Sequence, residues 1–223
     1  MTGETADKFI LLLVLVGSIG IHEWAHAVTA DKLGDPLPRS EGRVTLNPLA
    51  HADPIGTFLI PLLVIFLSPG FAVIGWGKPV RISLPNEKTR VRDDLLVTAA
   101  GPFSNLCIAL LTAVVAGVAF GVAGEVHEQV KKLVEIVITL NCVLLLFNLL
   151  PIPPLDGSHF LKYALRMKEE TYAKLASYGF IILILLINLK PFQAMLYKGI
   201  AFSTGLCFDL MLTTSALFTQ VGG

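Results

Sequence analysis

Six apolar stretches joined by short polar connectors leave this chain little choice but to fold as helices in a bilayer. They run over residues 9–30, 55–76, 95–123, 133–150, 175–189 and 196–218. The longer ones approach the roughly 20 residues that a helix needs to cross the hydrocarbon core. Of 223 residues, 54% are hydrophobic and 15% are charged, more apolar and less charged than soluble domains. The expected fold is an all-α polytopic membrane protein with five or six membrane segments. It forms one domain over 1–223, with a core over about 9–165 and accessory C-terminal segments over about 175–218. Net charge is zero, which implies no attraction for nucleic acid. Cys107, Cys142 and Cys207 each sit in an apolar stretch and form no CxxC pair, as buried small hydrophobes do.

The first stretch carries an anomaly, His22-Glu23-Trp24-Ala25-His26. Two histidines four apart on a helix share one face and can bind one zinc ion, with the intervening glutamate as general base toward a water. Ionisable groups at membrane depth are costly and mark function. A cleaved leader over residues 9–30 would discard this motif, and its charged centre is wrong for a leader core.

A hydrolytic zinc site normally takes three protein ligands. The best third candidate is Asp156, which follows Pro151, Pro153 and Pro154. Those prolines must end the helix running up to about Leu150 and hold the backbone rigidly. His159 and His51 are rivals, but a histidine in such a loop is more often a hydrogen-bonded structural group than a ligand. Asp156 also reads as an N-cap for the segment after Gly157.

Three blocks together resemble the signatures of the site-2 protease family of intramembrane zinc metalloproteases. They are His22-Glu23-x-x-His26, Gly101-Pro102-Phe103-Ser104-Asn105, and Asn148-x-x-Pro151-x-Pro153-x-Leu155-Asp156-Gly157. The stretches Arg43 to Gly56 and Gly75 to Val80 resemble its small prokaryotic branch, and the resemblance covers roughly residues 10–165. It implies that His22, His26 and Asp156 hold one zinc ion and that Glu23 activates water. It implies that Asn148 assists substrate or transition-state binding and that Gly101 and Asn105 lie near the substrate. Ser158 departs from the pattern, since a second glycine is common after Leu-Asp-Gly. Such proteins often carry a PDZ or CBS domain, for which this chain has no room.

Shared ligation constrains topology. The first motif lies toward the end of the first stretch and Asp156 just past the fourth, so both must reach one membrane face. That requires the second stretch, interrupted at Ser68-Pro69-Gly70 and carrying Pro61, to be re-entrant rather than spanning. A re-entrant segment puts 12 of the 17 lysines and arginines on one side, and a spanning one only 10. By the positive-inside rule the richer side is cytoplasmic. The expected location is the cell (inner) membrane, multi-pass, with the site open to the cytoplasm.

The expected partners are the lipid bilayer and a protein substrate with a transmembrane helix. That helix must unwind before cleavage, because its carbonyls are already hydrogen-bonded. Residues 77–94 suit the task of holding it. Val80, Ile82 and Leu84 alternate with Arg81 and Ser83, a short β-like signature, although a solvated basic loop reads equally well. Two other functions compete. A non-catalytic metalloprotease-like protein that grips membrane helices has no chemical need for Glu23. A zinc or proton transporter should spread ionisable residues over several helices, whereas here they form a single set.

Overall fold

The computed structural model describes residues 3–67 and 75–219; the expected interruption at Ser68-Pro69-Gly70 lies outside them. The described residues form helices α1 (Gly3–Lys32), α2 (Leu37–Ser40) and α3 (Pro48–His51), then a π-helical turn (Pro54–Leu59) that continues into α4 (Ile60–Leu67). After an irregular run come α5 (Arg90–Ala123), α6 (Glu128–Asn148), α7 (Gly157–Ala164), α8 (Glu169–Ile187) and α9 (Lys190–Thr219). α1, α5, α8 and α9 are long and apolar enough to cross a bilayer. At 1.5 Å per residue, α1 spans about 45 Å against a core of about 30 Å. α6 is not among the four, because Glu128, Lys131, Lys132 and Glu135 occupy its first two turns. With α6 and the shorter apolar segment Pro54–Leu67, each of the six apolar stretches contributes a helix among the described residues, and the chain is an all-α membrane protein.

The chain packs as two compact units, residues 1–104 and 105–223. In the first unit, short helices crowd the end of α1. Asn47 caps α3 by accepting the Leu49 N–H, and Asp53 caps the π-helical turn by accepting from Ile55 and Gly56. Both side chains satisfy donors that a helix start leaves orphaned. The segment that starts at this turn comes back to it. Trp76 N–H donates to the Gly56 carbonyl at 3.1 Å, and the Thr57 hydroxyl donates to the Trp76 carbonyl at 2.8 Å. Residues 56 and 57 are therefore tied directly to Trp76.

Among the described residues, the β-like signature over 80–84 pairs into no ladder, and β-pairing is confined to one antiparallel bridge, Ala52 with Gly77. Asp35 holds the run instead. Its carboxylate accepts from the backbone N–H of Ser83, the Ser83 hydroxyl at 2.6 Å, the Leu84 N–H at 2.9 Å and the Leu37 N–H at 3.0 Å. Burial works to raise the Asp35 pKa, but these bonds outweigh it and hold the carboxyl below its ordinary value. They also hold Leu84 at φ 45°, a left-handed conformation that is costly for a residue with a Cβ. Leu84 is buried there against Ala30 and Val97.

In the second unit, α5, α6 and α9 close over Ala109, Ala113, Ile138, Cys142 and Cys207. Gly117 and Gly121 lie against the backbone carbonyls of Met211 and Ser215, the small-residue spacing that lets membrane helices approach closely. Asn105 is fully buried and donates to the Asn141 side chain at 2.9 Å, which in turn donates to the Val137 carbonyl. A buried amide pair of this kind ties two helices that apolar packing alone would leave free to slide.

His51 is fully buried and donates from Nε2 to the Thr45 carbonyl at 2.8 Å. Burial, helped by the Arg43 charge, outweighs that bond and holds the imidazole below its usual pKa of 6.5. The folded state therefore binds fewer protons here than the unfolded chain. This contribution to stability is complete above pH 6.5 and declines as pH falls from there through the folded value. Thermal unfolding in detergent should show a lower Tm at pH 5.5 than at pH 7.5, and His51→Gln should flatten that difference.

Candidate metal centre

The first unit assembles most of the expected site around the C-terminal half of α1. His22, Glu23 and His26 are all buried, at 7%, 9% and 8% exposure. The imidazoles meet edge to face, with their Nε2 atoms 3.1 Å apart. His26 Nδ1 lies 2.6 Å from the Val97 carbonyl, so Nδ1 carries the proton and donates it. That bond fixes the tautomer and leaves the Nε2 lone pair as the donor turned toward His22.

This arrangement fits zinc. Nitrogens about 2.0–2.1 Å from a tetrahedral ion stand about 3.3 Å from each other, close to the separation seen. Backbone outer support for a ligating histidine, as Val97 gives His26, is the usual companion of such a site. Gly101 supplies the space. A Cβ on it would overlap the rings of both His26 and His22, so only glycine lets α5 lie this close to the imidazoles.

Glu23 sits in a second cradle. A Cβ on Gly77 would come 2.8 Å from Glu23 Cγ and 2.9 Å from an Ile19 methyl. Arg43 is buried and its Nη2 lies 3.9 Å from Glu23 Oε2. The same guanidinium donates to the Ala50 carbonyl at 2.8 Å and to the Lys78 carbonyl. It thereby clamps both sides of the Ala52–Gly77 bridge beside the glutamate, and burial draws its own pKa down from the ordinary arginine value.

The remaining candidates belong to the second unit. Asn148 is the last residue of α6, and one amide hydrogen goes to the Leu144 carbonyl at 2.9 Å. Asp156 occupies the N-cap position of α7 but has helical backbone angles, and its side chain makes no capping bond. The capping role weighed from the sequence is therefore not what this carboxylate does. Gly157 is forced by close approach, since a Cβ would overlap the Leu149 carbonyl where the proline turn folds back. Asn105 faces Asn141 at zero exposure, a position that braces α5 against α6. His159 packs edge-on against Tyr172. Thus His22, Glu23, His26 and Gly101 come together in the first unit, while Asn105, Asn148 and Asp156 lie in the second.

Sequence reasoning missed Val97, Gly77, Arg43 and Asn141. Val97 acts through its backbone and leaves no side-chain signal. Gly77 and Arg43 stood inside motifs whose geometry was unknown. Asn141 was visible as a lone amide within an apolar helix.

Comparison with known proteins agrees with this chemistry. Residues 116–187 match the model of peptidase family M50. The Bacillus subtilis protein named "Putative zinc metalloprotease YwhC" is 37% identical over 183 residues, covering 79% of this chain and 78% of that protein. Mycobacterial proteins named "Putative zinc metalloprotease Rip2" also match. The one from Mycolicibacterium smegmatis is 31% identical over 186 residues, 80% of this chain and 67% of its own. The one from Mycobacterium tuberculosis H37Rv is 29% identical over 198 residues, covering 86% and 73%. No solved structure gives a significant match. The chain belongs to peptidase family M50, the site-2 protease family of membrane metalloproteases.

Gly101→Ala should displace both imidazoles. The expected result is zinc affinity lowered about tenfold or more, measured by chelator competition on purified protein whose helical content is unchanged.

Proposed function

We propose that this protein is an intramembrane zinc endopeptidase that cuts peptide bonds within or near transmembrane helices of membrane-protein substrates, in regulated intramembrane proteolysis. The observation that carries the reading is the buried His22–His26 pair, 3.1 Å apart at Nε2 with Glu23 between them, in a chain of the M50 family. Asp156 is the third ligand in this reading. Its place in the matched family segment supports that assignment.

Each residue then has a task. His22, His26 and Asp156 hold zinc, which when bound polarises the scissile carbonyl and makes water acidic enough to attack at neutral pH. Glu23 takes the water proton and delivers it to the leaving amine. Arg43, 3.9 Å away, keeps the carboxylate oriented. Asn148 has a second amide hydrogen, beyond the one given to Leu144, for the developing oxyanion. The run 78–86, free of helix and anchored by Asp35, offers extended backbone to an unwound substrate. The tied ends of the 56–76 segment support the re-entrant topology. With it comes a multi-pass protein of the cell membrane whose site opens to the cytoplasm.

Purified protein with a model transmembrane substrate tests the mechanism. Glu23→Gln should keep its zinc and lose at least about 10²-fold in cleavage rate, while Asp156→Ala should lose zinc. Full proteolysis by Glu23→Gln would reject the reading. For topology, single cysteines replacing Lys32 and Lys88 should label from the same side of sealed vesicles; opposite accessibility would reject the re-entrant segment.

A further inference from the structure

We infer that α8, outside the part of the chain that carries the catalytic signatures, is a positioning helix for the metal-binding aspartate, and that Tyr172 and Ser158 transmit its hold. The inference rests on the reading of Asp156 as the third ligand.

A relay of hydroxyls brackets Asp156. The Ser158 hydroxyl is 2.6 Å from the Leu155 carbonyl and 2.7 Å from the Tyr172 hydroxyl. A carbonyl can only accept, so the single Ser158 proton goes to Leu155 and Tyr172 O–H donates to Ser158 Oγ. Leu155 and Ser158 flank the Asp156-Gly157 pair, and Ser158 is 1% exposed. A phenol on α8 thus fixes the backbone on both sides of the ligand. Ser158 stands where a second glycine is common, so the departure from the family pattern supplies a contact that glycine cannot make.

Three further contacts hold α8 in register with the same turn. A Cβ on Gly179 would overlap the Pro153 carbonyl, so α8 lies directly on the proline turn. Leu183 is buried with Leu150 and Ile152, one on each side of Pro151. Lys162 of α7 is buried, bonds Glu169 at 2.8 Å, and places its Nζ 5.1 Å from the centre of the Tyr172 ring. The ring of Tyr172 packs α7 while its hydroxyl reaches the turn. The two functions are separable, because phenylalanine keeps the first and deletes the second.

The test compares zinc affinity by chelator competition in full-length wild type, Tyr172→Phe, Ser158→Ala, Ser158→Gly and the Ser158→Ala/Tyr172→Phe double variant. Tyr197→Phe, on exposed α9 surface, is the control. Cobalt-substituted samples report coordination geometry through their visible absorption. Each relay variant should bind zinc about tenfold more weakly with an altered cobalt spectrum, the double variant should be no worse than the singles, and Tyr197→Phe should match wild type. Wild-type affinity and spectra in both Tyr172→Phe and Ser158→Ala would overturn the inference. So would additive losses in the double variant. Should one variant misfold by circular dichroism, the others carry the comparison. Asp156→Ala separates the two levels. If it binds zinc like wild type, the ligand assignment itself fails; if it loses zinc while the relay variants do not, only the role of α8 fails.

Discussion

The bond from His26 Nδ1 to the Val97 carbonyl settles three questions at once. It selects the tautomer, so that Nε2 is the electron donor. It turns the ring toward His22. It also joins α1 to α5 at 2.6 Å in a region where apolar contact alone gives little specificity. The approach is feasible only because Gly101, one turn further along α5, has no side chain to strike the imidazoles. A polar group at membrane depth must find its partner within the protein, and here finding that partner also shapes the donor set.

Around this contact the first unit spends its remaining polar groups on holding irregular backbone. Arg43 grips the carbonyls of Ala50 and Lys78, Asp35 grips the N–H groups of Ser83 and Leu84, and Thr57 and Gly56 grip Trp76. Non-helical backbone near a membrane is tolerated when protein groups satisfy it. The result places Gly77 against Glu23 and gives the glutamate a fixed wall on one side and a guanidinium on another. Loop and glutamate are therefore ordered by the same bonds.

The second unit solves a different problem, that of holding a carboxylate on a turn. Pro151, Pro153 and Pro154 stiffen the chain, and Gly157 lets it fold back onto Leu149. Rigidity of the turn alone would not fix its position. α8 does that, through Gly179 on the Pro153 carbonyl and Tyr172 on Ser158. α8 is thus tied to the turn that carries Asp156.

The apolar stretches, the pairing of His22 with His26 on one helix face, and the end of α6 at the prolines were legible in the sequence. Apolar length and proline chemistry are local properties, and they dictate helices and their ends without reference to the rest of the chain. The alternation over 80–84 left a β-like run and a solvated loop both open, because a strand needs a partner edge and the sequence could not say that Asp35 would take those N–H groups instead. The family resemblance implies that Asn105 lies near the substrate, and the structure adds Asn141 as its partner across two helices. The contributions of Val97, Gly77, Gly101 and Tyr172 were decided by tertiary structure alone. Each acts through a backbone carbonyl, a missing side chain or a distant hydroxyl. Such contributions exist only once helices far apart in sequence have packed, whereas ligand chemistry is written in the side chains themselves.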